Sequence, residues 1–186
     1  KIYNAEPGDY KIIDRNRNNI IDDDDRDFVG QTTPQFFGSF SNTFKSHGFD
    51  LTIFLTYAGG HKIYNPFAYL DSYSPSANMS PDYYHNYWTP ERPSNKYPRL
   101  GSTNSQLYET DGMYQKGDYI RLKNLELGYT LPRNIANKVY ASNIRVYASV
   151  QNLVTFTKYT GFDVETSNAN PYPACRVFMG GLTVNF

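Results

Sequence analysis

The densest run of oxygen-bearing side chains lies in residues 14–25, where Asp14, Asn16 and Asn18 alternate and are followed by Ile20, Asp22 and Asp25. Calcium is a hard cation that takes six to eight oxygens, and an EF-hand-like loop supplies them at this spacing. Asp14, Asn16 and Asn18 fill the first, third and fifth positions. The backbone carbonyl of Ile20 fills the seventh, Asp22 the ninth and Asp25 the twelfth. Two positions depart from the pattern. Asn19 stands where Gly is usual, although Asn tolerates the left-handed backbone better than most residues. The closing residue is Asp rather than Glu. The competing reading is an acidic solvated turn, its carboxylates neutralised by Arg15, Arg17 and Arg26. The expected cofactor is therefore Ca2+ in a structural role, pinning a loop.

The second concentration of chemistry is aromatic. Segment 59–116 holds Tyr64, Tyr69, Tyr73, Tyr83, Tyr84, Tyr87, Trp88 and Tyr97 among prolines, Asn and Asp. Rings beside amides and carboxylates can stack on sugars or peptides and hydrogen-bond to them. They can equally pack the segment itself. His47, His61 and His85 are scattered without ligand spacing, and Cys175 has no partner for a disulfide. The chain has no G-x-S-x-G, phosphate loop or H-E-x-x-H motif. Asp111 with Asp118 could be written as a glycosidase pair, but a chain with 18 acidic residues offers many such pairs. No catalytic residues are expected, and the chain is not read as an enzyme.

These residues hang on strands. Helical periodicity is nearly absent, with one short helix expected in 133–141. Period-two alternation is strong in five places. In 35–46, Phe36, Gly38, Phe40, Asn42 and Phe44 share a side. A His47-Gly48 turn leads to 49–58, where Phe49, Leu51, Ile53, Leu55 and Tyr57 alternate with Asp50, Thr52, Phe54 and Thr56. Segment 118–131 alternates in two phases, with a slip at Lys123-Asn124 that predicts a bulge. Strand 143–151 sets Ile144, Val146, Ala148 and Val150 against polar neighbours. Strand 176–186 sets Phe178, Gly180, Leu182, Val184 and Phe186 on one face.

Such strands are longer than the globular average and match the roughly 9–11 residues that cross a bilayer. Their polar faces carry Gln, Asn, Thr, Ser, Arg and Tyr, as a wet lumen requires. Long connections (59–116 and 155–174) alternate with short ones (47–48 and 132–142), the asymmetry of outer-membrane barrels. The expected layout is an external loop 1–34 with the calcium-like motif, a hairpin 35–58, an external loop 59–116, and the last three strands in 117–186. Five strands cannot close a barrel, so the sheet is expected to be part of a larger one.

Composition agrees with an all-β fold that buries aromatic surface. Aromatics reach 17%, with 18 Tyr and 12 Phe. Lys and Arg number 18 and so do Asp and Glu, giving zero net charge, which argues against a nucleic-acid partner. No apolar run is long enough for a transmembrane helix. No secretory leader is visible at Lys1, so either an export signal has been removed or the chain is a piece of something longer.

The segments GDYKIIDRNRNNIIDDDDRDFVGQTTPQFFGSFSNTFKSHGFDLTIFLTYAGGHKIYN (8–65) and WTPERPSNKYPRL (88–100) resemble the SusC/RagA family of TonB-linked outer-membrane proteins. So do GDYIRLKNLELGYTLP (117–132), NIRVYASVQNLVTFTKYTGFDVE (143–165) and YPACRVFMGGLTVNF (172–186). The resemblance runs through nearly the whole chain in the family's order and places it at the carboxyl-terminal end of the barrel. It implies a 22-stranded antiparallel barrel around a plug domain that this chain lacks. It also implies TonB-driven import of oligosaccharides or peptides in the outer membrane, with a SusD-like surface lipoprotein over the mouth. On that footing Tyr64, Tyr69, Tyr73, Tyr84, Tyr87 and Trp88 would touch substrate or lid. Phe178, Leu182, Val184 and Phe186 would carry the assembly signal. Other expected partners are the rest of the receptor, TonB through the plug, and lipid. The alternative reading is a secreted β-sandwich that binds glycans and holds a structural calcium.

Overall fold

A computed structural model describes residues 5–65, 79, 81–102, 110–166 and 172–186. Among the described residues, aromatic and β-branched side chains at alternate positions build nine strands: β1 Phe36–Ser46, β2 Phe49–Gly59, β3 Lys62–Tyr64, β4 Tyr87–Trp88, β5 Tyr97–Arg99, β6 Tyr114–Lys116, β7 Tyr119–Thr130, β8 Asn143–Thr157 and β9 Val177–Asn185. The chain divides into two compact units, Lys1–Gly30 with Ile63–Gln115 and Gln31–Lys62 with Lys116–Phe186. Among the described residues, no helix is long and apolar enough to cross a membrane.

The second unit is one antiparallel sheet in the order β1-β2-β7-β8-β9. His47 (φ 49°) and Gly48 (φ 84°) form the two-residue turn between β1 and β2. Positive φ at both positions matches the twist of the flanking strands. Phe44, Leu51, Leu127, Ala148 and Gly180 stand in one row across the five strands. The next row on the opposite face is Thr43, Thr52, Glu126, Ser149 and Met179. One face of the sheet is thus apolar and the other mainly polar.

The phase slip in the sequence has a structural counterpart. Lys123 has no cross-strand partner, and pairing between β7 and β8 jumps from Leu122↔Val154 to Asn124↔Gln151. Asn152, at φ 52°, turns the extra backbone of β8 through the left-handed region. The bulge keeps Leu122 and Leu125 on the apolar face although three positions separate them. Without it, one of the two leucines would have pointed to the polar side.

Nothing among the described residues covers the apolar face: Phe40 is 54% exposed, Leu127 51% and Leu182 63%. The fully buried Tyr83 and Met113 belong to the other unit. The expected helix in 133–141 is present but divided, with an α-turn Arg133–Ala136, a 3-10 turn Asn137–Val139 and a stop at Tyr140 (φ 58°). A further short helix, Pro81–Asn86, lies where none was expected.

Within the sheet unit the connections sort by end. The His47-Gly48 turn, the β7–β8 connection and the end of β9 fall at one end. The chain between β2 and β7 and that between β8 and β9 leave from the other.

Candidate functional site

The polar face of the sheet carries two charged clusters. The first spans β2, β7 and β8. Gly128 leaves bare backbone on β7 between Asp50 and Tyr147. The Arg145 guanidinium lies flat over that glycine, where an added Cβ would stand 2.3 Å from Nη2. It donates from Nε to Asp50 Oδ1 at 3.0 Å and from Nη2 to Glu126 Oε1 at 2.7 Å, with Nη2 also on Asp50 Oδ2. Tyr147 lies over Gly181 in the same way, and its ring centroid is 5.1 Å from the Arg145 guanidinium carbon. Two glycines thus let bulky polar side chains lie along the wall. Asp50 was expected on this face, and it is there.

The second cluster holds the segment after β8 against the sheet. Arg121, 4% exposed, donates from Nε to Thr155 Oγ1 at 2.8 Å, from Nη2 to Asp163 Oδ1 at 2.8 Å, and from Nη1 to Glu165. Lys123 Nζ reaches Glu165 Oε2 at 2.8 Å, and Tyr119 donates its hydroxyl to Glu165 Oε1 at 3.2 Å. Asp163 is 5% exposed and also accepts from the amides of Glu165 (2.9 Å) and Ala174 (3.0 Å). Burial pushes the Asp163 carboxyl up. The two amides and the Arg121 guanidinium outweigh burial and hold it below the ordinary carboxylate range. Burial, with the Asp163 charge beside it, pushes the nearby Tyr159 phenol up. Sequence reasoning missed this cluster because its partners lie about forty positions apart.

In the other unit, residues 14–25 close into a loop. Amides donate to the side-chain oxygens in the order a calcium loop uses: Asn19 to Asp14 Oδ2 (2.8 Å), Asn18 to Asn16 Oδ1 (2.9 Å) and Ile20 to Asn18 Oδ1 (2.7 Å). Asp25 accepts from Arg15 at 2.7 Å and from Asp22 at 3.1 Å. Asn19 takes φ 64°, the left-handed conformation its place in the motif demands. The amide of Asp22, chiefly, and those of Arg15 and Asn16 outweigh burial and hold the Asp25 carboxyl below its usual range. Asp14 Oδ1 is buried without a hydrogen-bond partner. An oxygen in that condition fits a cation ligand. Among the described residues no three His, Cys, Asp or Glu side chains gather for a metal. Asp14, Asp22 and Asp25 are therefore not gathered around one point, and both Asp25 oxygens are taken by backbone amides.

The aromatic residues divide. Tyr83 is 1% exposed, lies between Tyr97 (5.0 Å between centroids) and Tyr87 (6.1 Å), and donates to the Pro98 carbonyl. It is core. Trp88 packs flat on Gly8, whose φ of 92° and lack of a side chain permit the approach. Tyr87 is half-buried under the Arg92 guanidinium, and Tyr64 packs on Tyr114. Tyr84 is 59% exposed. Tyr69 and Tyr73 lie outside the described residues. Residues 5–10 are tied to the same aromatic group. Arg99 pairs with Asp9 (2.9 Å) and Glu6 (2.8 Å), Ser102 donates to Asp9, and Tyr10 donates to the Lys96 carbonyl. Burial raises the Asp9 carboxyl, but the Glu6 amide, Ser102 and Arg99 together bring it below the ordinary range.

The remaining expected residues fall apart from these groups. Phe178, Leu182 and Val184 share the apolar face of β9, and Phe186 is 89% exposed. His61 is buried with Nδ1 unpartnered, while Cys175 is exposed and free. Asp118 accepts from the Gly60 amide at 2.8 Å, and Asp111 opens a 3-10 turn.

No family model matches the chain. It is 33% identical to TonB-dependent receptor P3 of Formosa agariphila across 98% of its own length and 19% of that receptor's. It is 27% identical to TonB-dependent receptor SusC of Bacteroides thetaiotaomicron, covering 98% of this chain and 18% of SusC. A solved structure of the RagAB peptide transporter superposes on 83% of the chain and 17% of its own length, with a TM-score of 0.71 at 28% identity. The chain spans about a fifth of the length of the curated receptors it matches.

Proposed function

Because this chain is a SusC/RagA-like part of a TonB-dependent receptor, bearing strands that match the carboxyl-terminal end of its barrel, we propose that it supplies wall and outward loops to an importer in the outer membrane. The observation that carries this reading is the sheet itself. Five long antiparallel strands leave a continuous apolar face uncovered and set charged residues on the other. In a bilayer the apolar face meets hydrocarbon, and the face with Asp50, Glu126, Arg145 and Arg121 lines a water-filled or plugged lumen. Among the described residues β1 and β9 each have one neighbour in the sheet, and a spanning sheet tolerates no open edge. Their free edges pair with other strands of a large barrel, 22-stranded by the family resemblance.

The end of the sheet that carries the short turns faces the periplasm, and the segment before β1, the β2–β7 connection and the connection after β8 leave from the outward end. Energy comes from TonB acting on a plug domain. A SusD-like lipoprotein covers the mouth, and the cargo is oligosaccharide or peptide. The test is made on the full receptor. The expected result is an outer-membrane protein that needs detergent for extraction and shifts on gels when boiled. A soluble product that binds glycans without detergent would favour the secreted β-sandwich and overturn the reading.

The loop at residues 14–25 takes Ca2+ in this proposal, with Asp14, Asn16, Asn18, the Ile20 carbonyl, Asp22 and Asp25 as ligands. The orphaned Asp14 Oδ1 supports it. The ion would stiffen an outward loop and take no part in transport chemistry. Millimolar calcium should protect this segment of the full receptor from protease, EGTA should reverse the protection, and Asp14→Ala should abolish it. Cleavage that ignores calcium would remove the ion from the account.

A further inference from the structure

Glu165 accepts from Tyr119, Arg121 and Lys123, three residues at two-residue steps along β7. Arg121 lies two positions inside the end of that strand, about 7 Å along it at 3.3–3.4 Å per residue. Its neighbours Ile120 and Leu122 point to the apolar face, so Arg121 and its partners lie on the polar one. Residues 158–166 therefore do not stand away from the sheet. They fold back over its polar face and are fixed there by Arg121, Asp163 and Glu165, with Tyr159 and Val164 buried beneath. A cavity of about 210 Å³ remains behind them, bordered by Asn152, Thr155, Phe162 and Arg176. Ion pairs and the burial of Tyr159 and Val164 hold this segment together.

We propose that residues 158–166 form an inward constriction of the import path, latched to the barrel wall by Arg121, and that this constriction limits the size of solute entering from outside. The inference rests on the lumen assignment made above. Arg121 is a positioning residue: it touches the segment, not the cargo. Phe162, 60% exposed, borders the cavity and is the large apolar side chain that the segment leaves open to solvent.

The test uses the full receptor with Cys175→Ser and one introduced thiol. Val164→Cys, at a position 6% exposed, should resist fluorescein maleimide while the latch is intact. Adding Arg121→Ala should raise its labelling rate by on the order of tenfold or more, because an acidic pair left without its buried partner no longer holds the segment. Asp163→Asn with Glu165→Gln is the milder variant, to be used if Arg121→Ala fails to assemble. Size selection is read separately at Thr52→Cys, farther along the polar face, with maleimides bearing polyethylene-glycol tails of graded length. Breaking the latch should admit longer tails. Fast labelling of Val164→Cys with the latch intact, no change when it is broken, or an unchanged tail cut-off would each overturn the proposal. A parent receptor that shows no heat shift on gels would instead refute the barrel reading beneath it.

Discussion

Placing one arginine on each face of β2 tests the assignment of lipid and lumen. The strand runs through 11 residues, Phe49–Gly59. At about 3.3 Å per residue and a tilt near 40°, it covers roughly 28 Å of membrane normal, close to the roughly 25 Å apolar band of such barrels. Ile53 sits one residue from the strand's midpoint and is flanked by Asn42 and Leu125 on the apolar face. Ile53→Arg puts a guanidinium near the bilayer midplane, which costs about 2–4 kcal/mol. Thr52→Arg puts the same group on the opposite face beside Glu126, where its cost is about 0–1 kcal/mol. The two variants should differ by about 1–4 kcal/mol, or roughly 5- to 900-fold in the folded-to-unfolded ratio. Urea titration of the full receptor folding into lipid vesicles measures the ratio, and the heat-shifted band in outer membranes gives the cellular readout. The reasoning fails if Thr52→Arg costs as much as Ile53→Arg. It also fails if the difference persists unchanged with no lipid or detergent present.

Three further outcomes are expected. Gly128→Val should displace the Arg145 guanidinium, since its Cβ would come within 2.3 Å of Nη2, and cost about 1–3 kcal/mol in the same titration. Gly8→Ala should loosen residues 5–10, because the position holds φ 92° against the Trp88 ring; faster proteolytic cleavage there would show it. The Asp163 carboxyl is held below its ordinary range in the folded chain, so its contribution is complete above the unfolded value near pH 4 and is lost as pH falls through the lowered one. Because maleimide reacts with the thiolate, labelling of Val164→Cys is divided by that of an exposed cysteine at the same pH; the ratio should stay low at pH 5–8 and rise only in more acidic buffer, and Asp163→Asn should flatten that profile.

The sheet was legible in the sequence because it is local. Alternation in 35–46 and 49–58 puts Phe40 and Leu55 on the same side, and those residues are cross-strand neighbours. The slip at Lys123 announced the bulge, since only an unpaired residue returns Leu122 and Leu125 to one face. β8 ran on to Thr157, past the expected end, because Asn152 interrupts its alternation without ending the strand. The helix Pro81–Asn86 and the parallel β4–β5 pair carried no signal. They are too short for periodicity and are fixed by the core residue Tyr83 and by the Asp82–Lys96 ion pair at 2.7 Å. The calcium-like spacing could be read directly, as could Asn19 in its left-handed place. Arg121 could not be singled out, because an arginine in an alternating strand shows its face and not its partners.

The guanidinium of Arg145 also acts as a key for strand alignment. A strand that slides by one residue turns its apolar side chains inward, so an error that respects both faces must slide by two. Such a slip moves Arg145 by about 6.6 Å relative to β7. Asp50 and Glu126 would then be out of reach, and the guanidinium would meet a side chain instead of the bare backbone at Gly128. A single residue thus checks the alignment of β2, β7 and β8 together, as a diagonal tie in a frame fixes the angle between its members. The same tie resists shear between strands when a pulling force is applied from one side of the membrane. In the TonB-driven importer proposed above, such a wall would keep neighbouring strands from creeping past one another.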